Sequence, residues 1–122
     1  MRRFIGMLIV AALLSLSGPA IAGPLEDGLA ASARQDYATA LRLWRPLADQ
    51  GDAYAQYNLA VMYDTARGVP RDYVQAHMWF SLATTKGDKD AVKNRDAVAA
   101  KMTPAQIAEA QKLAREGKPA TK

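Results

Sequence analysis

From about position 37 onward, apolar residues recur at helical spacing, and glycine, proline and aspartate interrupt them at short intervals. Ala40, Leu43, Trp44 and Leu47 make one stripe, Ala55, Leu59 and Met62 a second, and Ala76, Trp79, Phe80 and Ala83 a third. The i, i+4, i+7 pattern is that of amphipathic helices, each expected to be apolar on one side only. Between the second and third stripes, Ala66-Arg67-Gly68-Val69-Pro70-Arg71-Asp72 is punctuated for a reversal. Gly68 can adopt the left-handed conformation that ends a helix, Pro70 cannot continue one, and Asp72 can cap the next. Asp52–Ala83 therefore predicts an antiparallel helical hairpin. Helices are predicted over about 37–50, 53–66, 72–86, 89–101 and 104–116.

Asp36 is a good cap for the first of these, and Pro46 in its middle predicts a kink or a loosened turn. Gly51 ends that helix and Asp52 caps the one after it. Residues 23–35 read as a partly helical lead-in in which Gly28 weakens Leu25–Ala33. Thr103-Pro104-Ala105-Gln106 opens the last helix as a capping box, and Gly117 and Pro119 close it before a disordered tail, 118–122.

Laid upon itself at an offset of 36, the chain repeats. Tyr37 meets Tyr73, Ala40 meets Ala76, Leu43 meets Trp79, Trp44 meets Phe80 and Leu47 meets Ala83. Gly51-Asp52 meets Gly87-Asp88, Ala55 meets Ala91, and Asn58 meets Asn94. Matches at apolar and turn positions are what stacked helical hairpins require, because each unit buries its face on the next. After Asp88 the pattern decays: Arg95 stands where Leu59 does in the earlier copy, and Ala99 where Tyr63 does. Polar substitution of this kind suits the last face of a solenoid.

The first 22 residues read differently. Met1-Arg2-Arg3 is basic, Phe4–Leu16 is apolar apart from Gly6 and Ser15, and Ala20-Ile21-Ala22 carries small residues where a signal peptidase reads. This is the pattern of a secretory signal peptide with cleavage expected after Ala22. Its apolar core is shorter than the roughly 20 residues of a spanning helix. No polar residue precedes the Arg pair, so ordinary Sec export is expected rather than the twin-arginine route. Removing the segment leaves 14 basic and 12 acidic residues, a net charge of +2 in place of +4. The basic residues are interleaved with Asp and Glu rather than clustered, which argues against nucleic-acid binding. The chain has no cysteine, so neither disulfides nor a lipoprotein anchor is available. The expected address is the periplasm or the exterior, with no membrane association once the signal is gone.

Catalytic chemistry finds little support. His77 is the single histidine and reads as a helix-surface or partly buried residue, not as a ligand or base. No Ser-x-x-Lys, Gly-x-Ser-x-Gly, His-Glu-x-x-His or glycine-rich phosphate loop occurs. Asp88 and Asp90 are close, but Asp88 is taken up as a cap, and Asp49 and Asp52 bracket a turn. No enzyme activity, cofactor or metal is expected. Trp44, Leu59, Met62, Trp79 and Phe80 are the predicted core, and Gly51, Asp52, Gly68, Pro70, Asp72, Gly87 and Asp88 the predicted turns and caps.

The segments Ala55–Tyr63 (AQYNLAVMY), Gly68–Tyr73 (GVPRDY) and Ala76 with Trp79-Phe80 and Ala83 together resemble the Sel1-like repeat family, relatives of the tetratricopeptide repeats. The resemblance is close over Tyr37–Asp88 and weak over Asp88–Gly117, about one and a half good units. Ala60 and Ala66 depart from it, standing where the family commonly has glycine; Ala66 is expected to let its helix run on by a turn. The resemblance implies an all-α, right-handed solenoid of helical hairpins with a C-terminal capping helix, and a role in protein–protein scaffolding. Some disulfide-stapled secreted relatives are linked to β-lactam binding, which does not carry over to a chain without cysteine.

If the superhelix curves as in relatives, Tyr54, Tyr57 and Asp64 line its inner surface. At the 36 offset, Tyr57 then faces Lys93 and Ala60 faces Asp96. Tyrosine beside mixed charge suits a protein or peptide partner, with inter-repeat packing as the competing reading for the same residues. The expected function is that of an exported adaptor or regulator in the periplasm or cell envelope. A self-associating structural module and a binder of cell-wall fragments or β-lactams are the alternatives.

Overall fold

The computed structural model of the protein describes residues 23–117; the predicted signal peptide and tail lie outside them. Among the described residues six α-helices follow one another: α1 (Pro24–Ala33), α2 (Tyr37–Asp49), α3 (Ala53–Thr65), α4 (Tyr73–Ala83), α5 (Lys89–Ala99) and α6 (Pro104–Glu116). Among the described residues there is no strand. The chain is an all-α solenoid of helical hairpins.

Five of the six helices, α2 to α6, start at a side-chain cap. Asp36 accepts a hydrogen bond from the Thr39 amide, Asp52 from Ala55, Asp72 from Gln75, and Asp88 from both Asp90 and Ala91. Each bond satisfies a first-turn donor that the helix itself cannot. Those from Thr39 hold the Asp36 carboxyl below its ordinary pKa. Thr103 and Gln106 exchange bonds across a capping box, with Pro104 in the first turn.

The helices stack in chain order up to α5: α1 on α2, α2 on α3, α3 on α4 and α4 on α5. α6 departs from this order. It lies against α4, with little close approach to α5, so a third hairpin is left splayed. α4 is consequently enclosed by α3, α5 and α6. Its six consecutive residues Gln75–Phe80 are all buried, Met78 and Trp79 to 0% and 1% exposure. This corrects the expectation that both hairpin helices are apolar on one side only. A helix with neighbours all round has no polar face. The remaining core is Ala31, Ala40, Trp44, Ala48, Ala55, Leu59, Ala60, Met62, Ala83, Ala91, Val98 and Ala110.

Three local expectations are also corrected. Residues 24–33 form one complete helix despite Gly28, because tertiary contact overrides the propensity of a single residue. Gly28 is buried against the Trp44 indole, and a Cβ there would stand 2.2 Å from Trp44 Nε1. The same nitrogen donates to the Leu25 carbonyl at 3.2 Å, closing α1 onto α2. Pro46 stands inside α2, which runs on to Asp49; the ring is solvent-exposed, where water can take the carbonyl it strands. α3 stops at Thr65 because Ala66, far from extending it, takes the left-handed conformation itself (φ 57°, ψ 42°). α4 ends at Ala83 and tightens into a 3₁₀ turn, Thr84–Lys86, before Gly87 reverses the chain at φ 82°.

The loop after Ala66 is anchored on α2. Gly68, at φ 76°, sits so close to Tyr37 that a Cβ would meet the Tyr37 Cβ at 2.8 Å. The Arg67 guanidinium lies 5.9 Å from the centre of the Tyr37 ring.

Two substitutions test these contacts in opposite directions. Gly28→Ala is expected to lose about 1–3 kcal/mol by overpacking against Trp44, although alanine is the better helix former. Ala66→Gly relieves a left-handed alanine, a strain of about 1–2 kcal/mol, and is opposed by an unfolded-state term of about 0.4–1 kcal/mol. A small net stabilisation should appear as a higher urea midpoint at unchanged m-value.

Candidate functional site

α3 and α5 lie on the same side of the stack, and Tyr57 joins them. Its ring meets Phe80 of α4 edge-on, with centroids 5.4 Å apart and planes at 72°. Its hydroxyl accepts from Asn94 Nδ2 of α5 at 2.6 Å. Burial first, and the Asp90 carboxylate next, push the phenol's pKa above its ordinary value, so Tyr57 is a neutral linker at physiological pH. The pairing is offset by 37 residues, not the 36 that would have set Tyr57 against Lys93. Helices cross at an angle, so the residue touched need not be the one equivalent in the repeat.

Three residues earlier, Tyr54 is 57% exposed, the one aromatic side chain among the described residues that the fold leaves in solvent. It borders a hollow of about 170 Å³ completed by Tyr57, Asn58, Asp88 and Asp90. The Asn58 Nδ2 is buried without a partner among the described residues. Asp88 is held as the cap of α5, whereas Asp90 is exposed.

Asp64, at the other end of α3, binds Lys101 at 3.3 Å, and the same ammonium lies 5.3 Å from the centre of the Tyr73 ring. The Asp64 carbonyl accepts from Arg71 Nε at 3.0 Å. The Lys101 contacts fasten the chain just after α5 to the end of α3 and the start of α4; a partly exposed ion pair of this kind contributes about 1 kcal/mol or less.

The splayed α5–α6 pair opens a second concavity, of about 320 Å³, floored by His77 and Ser81 of α4. Arg95, Asp96 and Ala99 form one wall, Ile107 and Gln111 the other. His77 is 4% exposed, and its Nδ1 is 3.4 Å from Ser81 Oγ. Arg95 gives both Nε and Nη2 to one oxygen of Asp96, at 3.2 and 3.1 Å. Burial, and then the Arg95 charge, lower the His77 pKa from its ordinary 6.5, and Asp96 opposes them.

The five residues singled out from sequence thus fall in different places. Tyr54 and Tyr57 share the hollow, Asp64 is tied to Lys101, Asp96 lies in the cleft beside Arg95, and Lys93 is exposed on α5. Sequence reasoning passed over Asn58, Arg95 and Gln111 as site residues and set His77 aside as neither ligand nor base. Arg95 had left a signal, being a charge at a register where the preceding unit has leucine. Among the described residues no group of three metal-ligating side chains occurs, and no helix is long and apolar enough to cross a membrane.

The Sel1 repeat pattern matches residues 22–52 and 53–88, which is more than half of the chain. The protein belongs to the Sel1 repeat family. Its first Sel1 unit takes in α1 and α2, so the helix read as a lead-in is the first helix of a repeat, and two units are present. The second unit is the α3–α4 hairpin, and α5 and α6 lie beyond both. Sel1 repeats generally mediate protein–protein interaction and are generally non-enzymatic. No curated protein matches the chain.

As the only histidine, His77 gives the fold a clean pH signature. With its folded pKa below 6.5, the unfolded chain takes up a proton that the folded one refuses. Its contribution is complete above about 6.5 and is lost as pH falls below that value. The melting temperature should therefore decline between about pH 7 and 5, and His77→Gln should flatten that decline.

Proposed function

We propose that this Sel1 repeat protein is exported and works as an adaptor or regulator in the periplasm or cell envelope, holding another protein on the α3–α5 face. Family membership supports a protein partner, and the pattern of residues 1–22 supports export. The observation that carries the choice of face is Tyr54. An exposed tyrosine offers a large contact area with few rotors, and here it borders a hollow whose carboxylates, Asp88 and Asp90, suit a basic side chain of the partner. Tyr57 forms the back of that hollow and is held rigid by Phe80 and Asn94, so little order has to be gained on binding.

Self-association is the second reading. Leu29 of α1 and Val92 of α5, helices near opposite ends of the stack, are 40% and 37% exposed. End-to-end docking of copies would cover them. The cell-wall and β-lactam alternative draws no support from a chain without cysteine.

One preparation tests the proposal. The tagged full-length chain, recovered from the periplasm, should begin at Gly23 by intact mass and bring down a partner at fixed stoichiometry. Tyr54→Ala should reduce capture at least tenfold with the melting temperature unchanged. Undiminished capture would place the interface elsewhere. A mass by light scattering that rises with concentration, in the absence of a partner, would favour self-association instead.

A further inference from the structure

The cleft between α5 and α6 is a polar site whose donors lack an acceptor. His77 is almost wholly buried, yet it lines the opening; beyond the long contact of Nδ1 with Ser81 Oγ, the ring has no hydrogen bond to the described residues. Arg95 spends Nε and one hydrogen of Nη2 on a single Asp96 oxygen. The end of the guanidinium, Nη1 with the second hydrogen of Nη2, has no partner among the described residues. That end is the fork that grips a carboxylate through two parallel bonds. α6 adds no charge to the cleft, only Ile107 and Gln111, and Ala99 on the α5 wall is apolar as Ile107 is on the other.

We propose that this cleft binds a carboxylate of an extended peptide, gripped by Arg95 and His77, with the neighbouring apolar side chain of that peptide resting on Ile107 and Ala99. The proposal deepens the adaptor reading and rests on it for the class of partner. Charge decides the sign of the ligand: the groups facing His77 are Arg95, Asp96 and Ser81, and Asp96 is already engaged with Arg95. An anion placed between Arg95 and the imidazole offsets the two influences that keep His77 neutral, burial and the Arg95 charge. At about 320 Å³ and open on one side, the cleft accepts one or two side chains, near the lower bound for small-ligand sites. Asp96 works against an incoming anion, which yields a variant that binds more tightly.

The test uses three N-acetylated alanine–leucine peptides added to the full chain and followed by NMR of the His77 ring and the Ile107 methyl groups. One peptide ends in a free carboxylate, one is amidated and carries a glutamate, and one is amidated and carries glutamine in its place. The proposal expects the first, the second or both to shift His77 and Ile107 together and to raise the His77 pKa, the better binder telling whether a chain end or a side chain is preferred. The glutamine peptide should do neither. Arg95→Gln should weaken binding about tenfold or more, and Asp96→Asn should tighten it, a gain that misfolding cannot imitate. Equal binding of the glutamine peptide, no shift with any peptide at millimolar concentration, or an affinity indifferent to both substitutions would overturn the assignment. If that happens while partner capture still depends on Tyr54, the cleft is refuted and the adaptor reading stands. If carboxylate peptides bind and Tyr54→Ala changes nothing, the α3–α5 face is refuted and the cleft stands.

Discussion

The enclosure of α4 is the constraint on which the remainder of the molecule depends. Three helices close on it, and a run of six buried residues leaves it no face toward water. Buried apolar area is the main favourable term in a domain of this size, and Trp79, Phe80 and Met78 supply the largest share of it on one helix. The same enclosure puts His77 in the interior and gives Tyr57 a ring to lean on. Both concavities are therefore by-products of how α3, α5 and α6 meet around a single helix. The hollow forms where α3 and α5 pass each other above Phe80, and the cleft where α5 and α6 fail to meet.

Around that centre, the stack is held in register by close approaches that only glycine permits. Gly28 lets the indole of Trp44 touch the backbone of α1, and Gly68 lets the α3–α4 loop settle on Tyr37. Each joins neighbouring helices of the stack without a cross-link, which matters in a chain lacking cysteine. The contrast with Gly51 and Gly87 is informative. Nothing lies within 4 Å of where their Cβ atoms would be; those two answer to backbone conformation alone, at φ 97° and 82°.

Much of the fold was legible because its signals are local. An aspartate or threonine at a helix start, a glycine at a reversal and a stripe at helical spacing all act within a few residues, and they announce an all-α hairpin repeat. What escaped was decided by contacts distant in sequence. Gly28 looked like a weakness in a short helix because its reason, Trp44, lies 16 residues away. His77 looked peripheral because the helix that closes over it, α6, belongs to neither repeat. Ala66 looked helix-compatible, and by intrinsic preference it is, but the chain turns left-handed there, and the loop that follows settles on Tyr37 through Arg67 and Gly68. The candidate site was legible only in part: Tyr54 is the exposed aromatic, while Tyr57 and Asp64, equally polar at their tips, are taken up by Asn94 and Lys101. Residue type along a helix does not distinguish a tyrosine that faces a partner from one that faces the next repeat.

The splayed end has its own explanation in one position. Leu59 is 0% exposed between α3 and α4, and the residue 36 positions on is Arg95. A third hairpin closed like the second would bury a guanidinium where the second buries a leucine, and burying an unpaired charge costs far more than a hairpin contact returns. α5 instead keeps Arg95 half-exposed, paired with its neighbour Asp96, and α6 takes the apolar surface still available, on α4. The substitution that ends the repeat thereby also creates the opening beside it. An apolar residue in place of Arg95 would call for a helix to cover it, whereas α5 and α6 border a cleft lined by Arg95, His77 and Gln111.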